Sequence, residues 1–339
     1  MGSRLADIAA SAGVSEATVS RVLNDRPGVS AATRRAVLTA VDVLGYDRPV
    51  RLRPRGRPLV GLVVPELVNP IFPEFAQVIQ TLLAHSGYTP LLCTQTPGGV
   101  SEDAHVDMLL ELGVSGVVFV SGEHADVTSD HARYRALVDQ GLPIVLVNGH
   151  AADVDAPSVS DDDAAAMDLA VGHLAALGHH RIGLAVGPER FVPVVRKREG
   201  FLRALQDHLG VAEDEGRGLV VSSLFSVEGG QAAAQTLLAR GVTAVVCGSD
   251  LMALGAVRAV RGAGLSVPDD VSVVGYDDSP LVAFTDPPLT TVRQAVPSMA
   301  DAAVQALVDQ MGGSPTPRTE YVFRPELVVR ASTGAAPVR

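Results

Sequence analysis

Between Leu59 and Tyr276 the chain alternates between two hydrophobic patterns. Short continuous apolar runs at Leu59–Val64, Leu91–Cys93, Val117–Val120 and Ile144–Val147 predict buried strands. Residues 74–85, 102–112 and 132–140 lie between them and repeat their apolar positions every three or four residues, which predicts helices. A second series follows: helix 163–177, strand 181–185, helix 196–209, strand 219–221, helix 228–240, strand 244–247, helix 250–261 and strand 271–276. Continuous apolar runs belong to strands covered on both faces, so each series predicts a doubly wound parallel sheet of α/β class. Two series of similar size predict two lobes. Ligands bind beyond the carboxyl ends of such strands, so two facing lobes enclose a cleft, with hinge closure as its natural response.

The first fifty residues carry a different pattern. Leu5, Ile8, Ala9 and Ala12 share one helical face, and Gly13 permits a sharp turn. Ser15 reads as the N-cap of a second helix, with Thr18 three residues on, and Val19 and Val22 face back to the first helix. Small Ala9, turn Gly13 and apolar Val19 give the spacing of a helix-turn-helix. The outer face of the second helix holds Ser15, Glu16, Ala17, Thr18, Ser20 and Arg21, short hydrogen-bonding groups and an arginine that suit base edges and phosphates of a DNA major groove. A third helix over 31–44, capped by Ser30, supplies Val37, Val41 and Leu44 to close a three-helix core.

Charge sharpens this reading. The chain of 339 residues carries a net charge of −11. Residues 1–58 hold ten arginines against five acids, a net of +5, so the remainder carries −16. A small basic head on an acidic body suits specific DNA binding with little unspecific drag. At 47% hydrophobic and 19% charged the composition is that of a globular protein of two or three domains. Neither a signal stretch nor a membrane-length apolar run is seen, so a cytoplasmic protein with no membrane partner is expected. Cys93 and Cys247 sit in apolar runs and read as buried thiols.

The segment LADIAASAGVSEATVSRVLNDRPGVSAATRRAVLTAVDVLGY resembles the head of the LacI family of transcriptional regulators. VGLVVPELVNPIF, HLAALGHHRIG, GSDLMALGAVRAV and DVSVVGYDDSPLVAFTDPPLTTV resemble, in order, the family's effector-binding core. Within the family, RPVRLRPR, TQTPGG, RFVPVVRK and MALGA resemble the maltose-operon regulators of actinomycetes. The resemblance implies a periplasmic-binding-protein-like core whose chain crosses between the lobes three times. The expected division is a helix-turn-helix head at 1–46, a basic linker at 47–58, an N-terminal lobe at 59–157 and 287–319, and a C-terminal lobe at 158–286 and 320–339, with crossings near 157, 286 and 320. It also implies that Glu16, Ala17 and Arg21 stand at base-reading positions, and that Ser15, Thr18, Ser20 and Asn24 are phosphate anchors or caps. Arg21 would donate to a guanine edge. Glu16 could accept from a cytosine amine or be a solvated helix residue.

The linker departs from the family's short hinge helix. Pro49, Pro54, Gly56 and Pro58 oppose a helix, and five arginines, Arg51 and Arg53 among them, occupy ten positions. Two readings stand: a basic strap on the minor groove with Leu52 as its wedge, or a solvated tether.

Strand ends supply the ligand candidates: Asn69, Ile71 and Phe72; Asn148; Phe191, Pro193, Arg196 and Lys197; Phe225; Ser249 and Asp250; Asp277 and Asp278. Phenylalanine rings cover the apolar face of a sugar, while Asp, Asn and cations fork onto vicinal hydroxyls. By the resemblance Phe72, Phe191, Pro193, Lys197, Phe225, Ser249 and Asp277 match effector-contact positions, with Lys197 in place of an arginine and Ser249 in place of an asparagine. Asp161-Asp162-Asp163 reads as the cap and acidic first turn of the next helix rather than a metal site. His179-His180 reads as a turn, since adjacent residues face apart. No catalytic motif appears, so no enzyme, cofactor or metal is expected. The expected function is a repressor of carbohydrate uptake and catabolism genes. It would bind double-stranded operator DNA as a homodimer and be released by a sugar of the maltose or maltodextrin class. A corepressor, a purine ligand, a solute-binding protein and a sugar-active enzyme are the alternatives.

Overall fold

Three short helices open the computed structural model, which describes residues 4–23, 26, 28–44, 57–95, 99–314 and 316–338. They are α1 (Arg4–Ala12), α2 (Glu16–Leu23) and α3 (Ala31–Val43). Ile8, Ala9, Val19, Val22, Val37, Ala40 and Val41 bury their side chains in one cluster between them. Leu44, expected in that core, is 40% exposed, because α3 ends at Val43 and the next residue no longer points inward. The chain divides into two units, Met1–Pro58 and Leu59–Arg339.

The second unit contains two six-stranded sheets. The first has the order β11-β5-β4-β3-β1-β2, all parallel, from β1 (Leu59–Val64), β2 (Thr89–Thr94), β3 (Val117–Val120), β4 (Ile144–Val147), β5 (Ser158–Asp161) and β11 (Glu320–Phe323). Helices α4 (Ile71–His85), α5 (Glu102–Leu112), α6 (Ala132–Asp139) and α12 (Val296–Met311) accompany it. Period two shows directly in β1. Leu62 and Val64 join the cluster under α4 and α12, while Val63 joins the cluster with Leu109 and Leu137 on the other face.

The second sheet has the order β12-β10-β9-β8-β6-β7, from β6 (Ile182–Val186), β7 (Val220–Ser222), β8 (Ala244–Cys247), β9 (Ser272–Asp277), β10 (Thr290–Arg293) and β12 (Glu326–Val328). Only β12 is antiparallel to its neighbour, β10. Helices α7 (Asp163–Ala176), α8 (Val192–Leu209), α9 (Glu213–Arg217), α10 (Val227–Ala239) and α11 (Asp250–Gly262) complete this lobe. Cys93 and Cys247 are buried free thiols in β2 and β8.

The crossings differ from those expected near 157, 286 and 320. β5 and β11 pair in the first sheet, and β10 pairs in the second. The chain therefore changes lobe after Asp161, after Arg293 and after Phe323. Residues 158–161 and 320–323 belong to the N-terminal lobe, and 287–293, which run into and form β10, belong to the C-terminal lobe. The cause is physical: Ser158, Ser160 and Thr290 are polar yet buried, so β5 and β10 lack the apolar run that marks the other strands. Among the described residues no helix is long and apolar enough to cross a membrane.

Candidate DNA-binding and effector sites

In the head, two serine caps and one glycine turn set the helix ends. Gly13 takes φ +66°, and Val14 N–H donates to the Ala9 carbonyl at 3.0 Å, closing α1 with a Schellman-type turn. Ser15 Oγ accepts from Thr18 N–H at 3.2 Å and lies 2.9 Å from the Thr18 hydroxyl. Ser30 repeats the device at α3, accepting from Thr33 N–H at 3.1 Å. Each cap satisfies an otherwise unpaired N–H of the first turn. With Val19 and Val22 fully buried, α2 turns Glu16, Ala17 and Arg21 outward, and all three are exposed; Ser15 is exposed and Thr18 and Ser20 half-buried. Asn24, Arg51, Leu52 and Arg53 lie outside the described residues.

In the second unit, a cleft of about 660 Å³ lies between the carboxyl ends of the two sheets. Phe72, Asn148, Phe191, Pro193, Arg196, Lys197, Phe225, Ser249 and Asp277 all line it, as do Asn69 and Ile71. Asp250 does not. It is 1% exposed, and its carboxylate accepts from Ser279 N–H, the Ser279 hydroxyl and the Thr291 hydroxyl, each at 2.7 Å. It therefore anchors the loop after β9 rather than facing ligand. Asp278 is likewise occupied, holding Arg293 and Arg330.

Three phenylalanines supply the apolar wall. Phe191 and Phe225 sit 6.5 Å apart between ring centroids at 46°. A side chain at Gly187 would stand 2.1 Å from the Phe225 ring, so only glycine lets that ring lie over the end of β6. Phe72 faces them from the N-terminal lobe.

The polar groups were only partly legible. Lys197, 5% exposed, is ion-paired with Asp163 and stands 3.8 Å from the Tyr276 ring centroid. Tyr276 donates to Asp161 at 2.6 Å, joining β9 of one lobe to β5 of the other. Asp162, between them, is the cap of α7 and accepts from Ala165 N–H at 3.0 Å. Asp162 and Asp163 thus start the helix, as the sequence suggested, whereas Asp161 ends β5; Asp161 and Asp163 also enter the cleft. Gln294 donates to Asp277 at 2.7 Å and accepts from Asn148 at 3.3 Å, again between lobes. Burial raises the Asp161 carboxyl to about 7 against the pull of Tyr276 and Lys197. Burial raises Asp163 too, and burial together with the Asp250 charge raises Asp277.

Among the described residues, three buried cleft atoms have no protein partner: Asn69 Oδ1, Asp161 Oδ1 and Asp277 Oδ2. Unpaired buried polar atoms are costly, and their convergence from both lobes is the arrangement expected where a hydroxyl-rich ligand completes the network. The backbone points the same way. Ser121, Asn148, Asp277 and Asp278 are the non-glycine residues at positive φ among the described residues; Asp277 ends β9, and each of the others follows a cleft-facing strand end. The cations lining the cleft are each paired: Arg190 with Asp126, Arg196 with Glu320 and Lys197 with Asp163. Six carboxylates line the same cleft. Among the described residues, an anionic ligand there would meet no uncommitted cation.

A helix-turn-helix head joined to a two-lobed binding core defines a DNA-binding transcriptional regulator. This chain belongs to the LacI family of bacterial regulatory proteins. The family description "Bacterial regulatory proteins, lacI family" matches residues 4–48, and "Periplasmic binding protein-like domain" matches residues 171–333. The chain is 63% identical over 338 residues to the HTH-type transcriptional regulator MalR of Streptomyces coelicolor, covering 99% of this chain and 98% of that protein. It is 33% identical to the HTH-type transcriptional repressor CytR of Escherichia coli over 98% of this chain and 96% of that protein. Among solved structures, a complex of the transcriptional regulator CelR with cellobiose aligns with a TM-score of 0.71 at 32% identity, covering 98% of this chain and all of that one. The lac repressor dimer bound to operator and the anti-inducer ONPF aligns with a TM-score of 0.72 at 28% identity, covering 99% and 100%. These relatives are transcriptional regulators, not enzymes, and so is this chain.

Proposed function

We propose that the protein represses genes of carbohydrate uptake and catabolism, and that a neutral α-glucoside of the maltose or maltodextrin class, bound in the cleft, releases it from operator DNA. The observation that carries the sugar reading is the cleft's pairing of three phenylalanines with three unpartnered polar atoms drawn from both lobes. Rings cover the C–H face of a pyranose, and carboxylate and amide oxygens accept from its hydroxyls. A cellobiose complex of a similar regulator supports a disaccharide-sized occupant. The maltose assignment rests on the resemblance of the linker and cleft segments to actinomycete maltose-operon regulators and on the identity with MalR.

Phe72, Asn148, Phe191, Pro193, Lys197, Phe225, Ser249 and Asp277 would contact the ligand, joined by Asn69, Ser160, Asp161 and Asp163. Arg196, bound to Glu320, would hold the wall in place. A ligand bridging the lobes shifts the hinge equilibrium, and the two linkers of a homodimer carry that shift to paired recognition helices on a palindromic site. Linkage makes operator DNA weaken ligand binding by the same factor. The test is a titration of maltose, maltotriose, cellobiose and adenine, followed by thermal shift and by release of a labelled operator. Stabilisation and release by the α-glucosides are expected. No shift with either would sink the assignment. Stabilisation without release, or tighter operator binding, would make the ligand a corepressor.

A further inference from the structure

The lobes are joined across the cleft at a point distant from the three crossovers. Arg190, in the loop after β6, bonds Asp126, in the loop after β3, with Nε 2.7 Å from Oδ2. The backbones meet there as well: Val127 N–H donates to the Arg190 carbonyl at 2.8 Å, and Asp126 and Phe191 form an antiparallel bridge. Asp126 is itself held, since its Oδ1 accepts from Thr128 N–H at 2.9 Å and the Thr128 hydroxyl at 2.6 Å. The Arg190 guanidinium lies 4.7 Å from the Phe191 ring centroid.

Position gives this contact its leverage. β3 stands three strands from the crossover edge strand β11, and β6 stands four strands from β12. At a strand spacing of about 4.8 Å, the contact sits roughly 14 and 19 Å along the sheets from those edges. Rotation of one lobe about the crossovers moves such a point far more than the hinge. Phe191 also opens α8, which carries Pro193, Arg196 and Lys197 into the cleft.

We infer that Asp126 and Arg190 form an interlobe clasp that positions Phe191 and holds the lobes in the arrangement that retains ligand. They are positioning residues for the effector site. Asp126 is not among the residues lining the cleft, so it acts through Arg190 and Phe191. The inference rests on the cleft being the effector site.

The test compares full-length wild type with Asp126→Asn, Arg190→Ala and the double variant. The Asp126→Asn change keeps the Oδ1 acceptor for Thr128 but sets an NH2 donor against Arg190, so both the charge and the hydrogen bond toward Arg190 are lost. With maltose as probe, each single variant is expected to raise Kd about fivefold, mostly through faster dissociation. The double variant should be no weaker than the weaker single, because both remove one interaction. Wild-type affinity in Asp126→Asn beside weak binding in Arg190→Ala would make Arg190 a direct ligand contact and overturn the clasp. So would additive effects. A second readout needs no ligand: amide exchange at Val127 should be slow in wild type and faster in both variants. Unchanged exchange overturns the clasp by itself. Failure of maltose to bind wild type counts against the effector reading, and the exchange measurement then decides the clasp alone.

Discussion

Replacing Asp161 by asparagine should stabilise this protein at alkaline pH, although Asp161 sits in the effector cleft. The side chain is 3% exposed, accepts from Tyr276, and leaves Oδ1 without a partner. Burial raises its carboxyl from 3.8 to about 7. A carboxyl whose folded value is raised is a proton sink in the native state, so its neutral form stabilises the fold at low pH and that contribution is lost as pH rises from about 4 to about 7. At 1.36 kcal/mol per pH unit the penalty for ionised Asp161 approaches about 4 kcal/mol above pH 7. Asparagine is neutral and keeps the acceptor for Tyr276; a less favourable hydrogen bond takes back about 1 kcal/mol. The net gain at pH 8 is therefore about 3 kcal/mol, which at about 2 °C per kcal/mol for a unit of this size raises Tm by roughly 6 °C. At pH 5, where wild type has regained most of its proton, the gain should fall below about 1 kcal/mol. Thermal melts of both proteins at pH 5 and pH 8 decide the matter. A variant that melts below wild type at pH 8, or a difference that is the same at both pH values, refutes the reasoning.

Three further outcomes are expected. Arg21→Ala should lower operator affinity by about 1–3 kcal/mol in a mobility-shift titration and relax the base preference at one position, while ligand-induced thermal shift stays as in wild type. Gly13→Ala should lower the stability of the head by about 1 kcal/mol in urea denaturation of the full chain, since φ +66° strains any L side chain there although nothing stands within 4 Å of the added carbon. His124 is fully buried, and burial lowers its imidazole to about 3. A lowered histidine gives stability that is present above about 6.5 and is lost as pH falls, so His124→Leu should gain about 2 kcal/mol on wild type between pH 7.5 and pH 5 in chemical denaturation. An unchanged difference would remove that account of the acid limb.

Legibility in the sequence followed the physics of each element. Apolar strands such as β1, β3, β4 and β8 occupy the spans their runs predicted, because a strand buried on both faces must be apolar throughout. β5 reads Ser-Val-Ser-Asp and β10 reads Thr-Thr-Val-Arg, and neither has that signature. Their polar side chains are buried because long-range partners satisfy them where the lobes exchange chain: the Thr290 hydroxyl accepts from Arg330 N–H, and Asp161 accepts from Tyr276. These are long-range partners that no local window contains, so the crossings were misplaced where tertiary hydrogen bonds replaced apolar burial. The head was legible for the opposite reason. Its caps, turn and core spacing are all local, and the one misjudged core residue, Leu44, lies past the end of α3.

The same distinction explains the cleft. Residues at the ends of recognisable strands were found, while Asp250 was misassigned because a strand-end carboxylate can face either the ligand or the next loop, and Ser279 and Thr291 decide which. Asp161, Asp163 and Tyr276 were missed as cleft residues because their meaning is collective. One buried lysine cannot neutralise Asp161, Asp163 and Asp277 together, and burial raises all three carboxyls. A protein selected for stability alone would replace such a group with neutral side chains. Its retention beside atoms that no protein group satisfies makes sense when the missing partners are hydroxyls supplied by a ligand. On this reasoning the cluster is a stored instability that ligand relieves, and because its members come from both lobes, relief draws the lobes together.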